Sequence, residues 1–365
     1  MNEWSAKGRI LEIDITKGIA CLLMLAAHFI SARLLPFGTF AAPLFFACSG
    51  MNTIKLLEKT SGNRRYDLFH LFFPLLLFFG GSTQVVVAHG GRLRIFPEFL
   101  QCIALAVLVL FVLSRVIRNP FHVGCLFPVP FLIQHFLPLT FYGSPLAFLF
   151  SKGFALFPWL GFFLFGVFIL YLKGRTFFRL TAVLGATAVV SLIWAGDMPN
   201  KFLMSPLYIL LALLAVSLFF ALGRLIAALS KRAFFRGLTS FFAIPGRNSL
   251  MFVYLHYFVL RNFVSVDLFH SLYPDLLFPV LYLFCACWVL LLIYEKVRHE
   301  TELLIPALSL LLALGALRWG GLLNPRIDLR LIDMIIGILF AFAYVLLRRK
   351  FAAWCERGKA AVAGQ

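Results

Sequence analysis

The sequence predicts an all-α integral membrane protein, a polytopic bundle of about 12 transmembrane helices (range 10–12) with both termini in the cytoplasm. Three observations predict it. The 365 residues are 62% hydrophobic and 13% charged, which is too little polar surface to cover a water-soluble globule. Apolar runs of about 20 residues, long enough to cross the ~30 Å hydrocarbon layer, fill the chain. Stretches such as 71–79 and 283–294 are apolar on every face. They lack the alternation of a membrane barrel, and the helix is the remaining structure that satisfies its own backbone in lipid.

In chain order, hydropathy over a window of about 19 residues places spans at 15–35, 37–56, 68–88, 95–115, 120–137, 154–172, 178–196, 205–227, 241–263, 276–295, 301–317 and 331–348. The fifth is unlike the rest. Pro120, Pro128, Pro130 and Pro138 crowd a short apolar stretch, and proline removes a donor from the helix ladder, so a kinked, broken or re-entrant segment is expected. With the N-terminus inside, 24 of the 33 Lys and Arg residues fall on inside segments, as the positive-inside bias requires. Hydropathy and charge, two unrelated signals, agree on one transmembrane domain over residues 1–365.

The same distribution accounts for the net charge of +18. Basic loops of a membrane protein are orientation signals and anchors for anionic lipid, and no zinc-finger spacing, basic helix or aromatic-basic sheet pattern points to nucleic acid. The seven cysteines are odd in number and mostly inside spans, so no disulfide framework is expected. Cys285 and Cys287 are two apart and face opposite sides of a helix, so they do not share a metal, and no metal site is expected. Glu3, Glu12 and Asp14 precede the first long apolar run, unlike the short basic start of a cleaved signal peptide, and the first span is expected to stay. No soluble domain, phosphate loop, long linker or internal repeat is evident.

Ionisable groups at membrane depth are costly and usually face a bundle interior or a wet cavity. The first span carries Asp14, Lys17 and His28. At about 100° per residue Lys17 and His28 differ by roughly 20° around the axis, with Asp14 about 40° from His28, so one stripe holds all three. At 1.5 Å per residue His28 lies roughly 16 Å above Lys17, near the middle of the bilayer, with the cation at the cytoplasmic surface. On spacing alone this stripe reads equally as a snorkelling interfacial lysine beside a histidine bonded to a neighbouring helix.

The run from Arg9 through Asp14, Lys17 and Gly18 to His28 resembles the opening of bacterial members of the heparan-alpha-glucosaminide N-acetyltransferase family. That family belongs to the transmembrane acyltransferase superfamily, whose acyltransferase type 3 members read Arg-Gly at the cytoplasmic end of this helix with His ten intervening residues later. Lys17 stands here in place of Arg. It keeps the charge and loses the planar fork. Further matches follow in order: Leu44 to Gly50 including Ser49, Phe99-Leu-Gln101, Phe157-Pro158-Trp159-Leu-Gly161 with Gly166, and Pro245-Gly246-Arg247-Asn248-Ser249-Leu250 running on to Tyr254 and His256. The resemblance covers residues 9–300 as an acyltransferase-like core and leaves 301–365 as additional C-terminal helices with a basic cytoplasmic tail. The lysosomal members place their catalytic His beyond this helix at its non-cytosolic mouth, and between Phe29 and Pro43 this chain has no His.

The resemblance implies a multi-pass inner-membrane enzyme that moves an acetyl or other short acyl group from cytoplasmic acyl-CoA to a sugar hydroxyl or amine of an extracytoplasmic glycan or glycolipid. Its expected partners are the bilayer, acyl-CoA as donor substrate and that acceptor, with no tightly bound cofactor. It makes His28 the catalytic base, a role that suits an imidazole with a pKa near neutrality. Lys17, Arg247 and Arg9 are expected to hold the donor's phosphates. Asp14, Ser49, Gln101, Ser249 and His256 are supporting or acceptor-binding candidates. Ser249 and His256 are seven apart and share a helix face, although a structural bond between helices is the better account of His256. Pro158-Trp159 reads as a kink and an aromatic-belt anchor. His70, His89, His122, His135, His270 and His299 fall near span ends or in loops, where solvation accounts for them. A transporter or lipid-linked flippase without acyl-transfer chemistry is the alternative, since many helices with buried polar groups also suit transport.

Overall fold

The computed structural model describes residues 10–29, 36–88, 98–137, 144–150, 153–195, 204–263, 277–319 and 329–363. Among these residues the only regular structure is helical. The helices are α1 (Leu11–Phe29), α2 (Ala41–Thr60), α3 (Arg64–Ala88), α4 (Phe99–Val116), α5 (Pro120–Cys125), α6 (Pro128–Phe136) and α7 (Leu156–Leu170). They continue with α8 (Gly174–Ala195), α9 (Pro206–Leu229), α10 (Ala233–Arg247), α11 (Ser249–Phe263), α12 (Leu277–Val297), α13 (Leu304–Trp319) and α14 (Leu329–Ala363). Short 3-10 turns at Pro36–Phe40, Pro145–Phe148 and Thr301–Leu303 precede α2, α7 and α13.

Local sequence explains the boundaries. Gly62, at φ +85°, makes the turn between α2 and α3 in a conformation that other residues rarely adopt, and the Asn63 side chain then accepts from the Arg65 amide at 3.0 Å. Glu98 and Gln101 close a reciprocal capping box on α4, which satisfies two donors that a helix start leaves open. Asn119 and Ser205 cap α5 and α9, each followed by proline in the first turn, where the missing N–H is no loss. The predicted fifth span is indeed broken, into α5 and α6, by the turn at Leu126 and Phe127. The predicted ninth span is likewise two helices, α10 and α11, parted at Asn248 three residues after Pro245. Hydropathy did not register that break, because the sequence stays apolar on both sides of it.

Among the described residues, six stretches are long and apolar enough to cross a membrane: Gly38–Thr60, Phe99–Val116, Gly174–Trp194, Pro206–Leu229, Val280–Val297 and Leu331–Arg357. The surface agrees with that solvent. Ile193, Trp194, Val116 and Phe79 are between 70% and 85% exposed, an apolar exterior that water would not tolerate. This is a membrane protein. Within lipid, helices associate through close packing and hydrogen bonds rather than hydrophobic transfer, and small residues set how near they come.

α1 lies at the centre, against α2, α9, α10, α11 and α12. α2 packs on α7, which also meets α4, α5 and α6, while α8 covers α9 from outside. α14 lies against α3, α11 and α13, and its Phe340, Ala341, Tyr344 and Cys355 belong to the same buried core as α1. The closest approaches of helix backbones are at paired glycines. A Cβ on Gly246 would sit 1.7 Å from the Asp14 carbonyl oxygen, and one on Gly18 would sit 1.9 Å from that of Phe242. Gly50 and Gly166 do the same for α2 and α7, facing the carbonyls of Phe163 and Ala47 at 2.1 Å.

Candidate functional site

Close packing at Gly18 and Gly246 brings polar residues of α1 and α10 together. Lys17-Gly18 and Pro245-Gly246-Arg247 meet backbone to backbone, and Cys21 donates its thiol to the Pro245 carbonyl at 3.9 Å. Along α1 the predicted stripe spans three environments: Asp14 is buried, Lys17 half-buried and His28 exposed in the last turn. Lys17 lies within electrostatic reach of Asp14, of Cys48 on α2 and of Arg348 on α14.

Across from α1, α11 brings His256 to His28. The two rings stack with centroids 5.4 Å apart and planes 30° from parallel. Tyr257 completes the group, 5.9 Å from His28 and 4.1 Å from His256 between centroids. His256 is 1% exposed, and its Nδ1 lies 3.2 Å from the Phe252 carbonyl oxygen one turn earlier. A carbonyl only accepts, so Nδ1 carries the proton and Nε2 carries the lone pair. Nε2 is buried and has no hydrogen-bond partner among the described residues. An orphaned buried acceptor costs about 1–3 kcal/mol, and one in a helix bundle is a functional candidate. Ser249, half-buried at the start of α11, is on the same helix.

Arg247 is held elsewhere. Its Nε and Nη2 donate to the two carboxylate oxygens of Glu295 at the end of α12. Asn248, in the break between α10 and α11, donates to Glu295 at 2.9 Å and accepts from Arg298 at 2.7 Å. Arg349 of α14 donates to the Arg298 carbonyl oxygen and reaches His299 Nδ1 at 3.2 Å. Desolvation and the Arg349 and Arg298 guanidiniums lower the pKa of His299, consistent with a neutral ring that accepts from Arg349.

Gln101 is buried and occupied by the α4 cap and by Ser82 at 3.2 Å, so its polar atoms serve helix architecture. Ser49 is half-buried beside Gly50 on α2. Arg9 lies outside the described residues. Two expectations are corrected. His70 is 4% exposed rather than solvated and bonds Thr60 Oγ1 at 2.8 Å, because the Gly62 turn brings the end of α2 against the first turns of α3. Trp159 is no belt anchor. It is buried among Phe46, Phe154 and Phe162 and donates to the Gly153 carbonyl at 2.6 Å.

Sequence reasoning missed Glu295 and Tyr257. The signal for Glu295 was a carboxylate at the end of an apolar span, three residues before Arg298 and therefore on the same helix face. Tyr257 had only its adjacency to His256. Among the described residues no three His, Cys, Asp or Glu side chains converge as a metal site. No protein-family model, curated protein or solved structure matches the chain.

Proposed function

We propose that this chain is a membrane-embedded acyltransferase, which moves an acetyl or other short acyl group from cytoplasmic acyl-CoA to a sugar hydroxyl or amine of an extracytoplasmic glycan or glycoconjugate. The observation that carries the reading is the His28–His256 pair, in which a buried imidazole of fixed tautomer keeps an unpartnered Nε2 beside an exposed second imidazole. Transfer requires a base to take the proton from the attacking hydroxyl or amine as its oxygen or nitrogen bonds to the thioester carbonyl. The carbon–sulfur bond then breaks, and the proton leaves with the coenzyme A thiolate. His28, exposed in the last turn of α1, receives the acceptor's proton, and the face of the neutral His256 ring supports the imidazolium through the stack. Lys17, roughly 16 Å down α1, attracts the donor's phosphates at the other end. The resemblance of the ordered motifs to the heparan-alpha-glucosaminide N-acetyltransferase family supports the same chemistry. In this reading about 12 segments cross the inner membrane with both ends inside.

The test uses the full chain in lipid nanodiscs with acetyl-CoA, adding a membrane glycolipid extract as acceptor and reading free coenzyme A by mass spectrometry. Coenzyme A release above the protein-free rate is expected, falling about 10²–10⁴-fold in His28→Ala, the range that general acid-base assistance supplies. His256→Ala is expected to lower it as well. Wild-type protein that releases no coenzyme A, or His28→Ala and His256→Ala that both match wild type, would remove the enzymatic assignment and leave the transporter reading.

A further inference from the structure

We propose that Glu295 is a latch on an anion site, holding the Arg247 guanidinium until a phosphate group of the donor displaces it. The inference rests on the acyl-CoA reading above. Arg247 presents two N–H groups to the two oxygens of the Glu295 carboxylate, and a phosphate offers a guanidinium the same two-oxygen edge. Glu295 therefore occupies the fork as an anionic ligand would.

Three features make the site exchangeable rather than sealed. The Arg247 side chain is 30% exposed and that of Glu295 16%, so an anion reaches the fork from solvent. Asn248 donates to Glu295 Oε1 at 2.9 Å and remains in place to donate to a phosphate oxygen once the carboxylate moves. Arg298, with its side chain 6% exposed, lies 3.4 Å from the same oxygen, so an incoming phosphate replaces the counter-charge for both arginines. The site also stands on the break between α10 and α11, next to the point where Gly246 presses on Asp14 of α1. Filling it bears on the helix that carries Lys17 and His28. While the latch is closed, donor affinity is reduced by the fraction of molecules in which Arg247 is open.

The test is binding of coenzyme A, the free thiol that cannot be turned over, to the full chain in zwitterionic nanodiscs. Such lipid keeps anionic head groups from competing. By calorimetry Glu295→Gln, which keeps the shape and loses the charge, is expected to lower Kd roughly 3- to 10-fold, and to have no effect in an Arg247→Gln background. Glu295→Asp, which withdraws the carboxylate from the fork, is expected to fall between. Wild-type binding that is unchanged or weakened in Glu295→Gln and Glu295→Asp would overturn the latch and leave the acyl-CoA reading standing. So would failure of both variants to fold, which would make the pair structural. Absence of coenzyme A binding in every protein would overturn both.

Discussion

His256 donates its Nδ1 proton to its own helix, and that single bond decides which nitrogen is available for chemistry. The Phe252 carbonyl holds the ring in one tautomer, the role an orienting group plays in base-catalysed sites. Lys17 poses a different problem. It is half-buried beside Asp14, and its charge is an expense unless a ligand uses it. Lys17→Gln is accordingly expected to weaken donor binding by about tenfold or more, the scale of one hydrogen bond to a charged group, while Lys17→Arg retains it. Titration with coenzyme A measures both, and equal affinity in the two variants would take Lys17 out of the donor site. Arg247 is already engaged by Glu295, so only the paired variants isolate its contact with the donor.

At the level of elements, Gly18, Gly50, Gly166 and Gly246 act on helix contact rather than on ligands. At Gly246 the added Cβ would meet the backbone of Asp14 and Gly18, which no side-chain rotation relieves. Gly237 on the same helix has nothing within 4 Å of its missing Cβ. Gly246→Ala should therefore separate α1 from α10 and destabilise by at least the ~1–3 kcal/mol typical of overpacking. Gly237→Ala should be neutral or stabilising by up to ~1 kcal/mol, through helix propensity and a less flexible unfolded chain. Thermal unfolding of the two variants in detergent tells them apart, and equal midpoints would contradict this packing account.

Across the whole molecule, contacts between distant segments align the helix ends. Gly38 packs on Ala27, so α2 starts where α1 finishes, and Gly223 near the end of α9 packs on Thr16 and the Glu12 carbonyl near the start of α1. At the far end of the chain, Trp354 stacks under Arg65 at 4.7 Å and Glu356 accepts from Tyr66 at 2.7 Å. The turn after α2, the end of α9 and the end of α14 therefore share one side of the bundle. Reporter fusions after residues 60, 232 and 359 should all read cytoplasmic and fusions near 197 or 270 external. An external signal at 232 would invert the proposed orientation.

The sequence by itself determined the solvent and the class of fold. Composition and unbroken apolar runs are local properties, and a backbone in lipid has few ways to satisfy its hydrogen bonds. It also marked the proline-crowded break between α5 and α6, because proline acts on its own turn of helix. Only the tertiary structure decided that α10 and α11 part at Asn248, which there bonds Glu295 of α12 and Arg298 just beyond the end of that helix. The same holds for the candidate site. His28 was legible from its spacing to Lys17, but the stack on His256, 228 positions later in the chain, depends on how α1 and α11 pack. Likewise Arg247 reads in sequence as an available cation. Its engagement by Glu295 follows from helix packing, which brings together charges that periodicity along one helix does not relate.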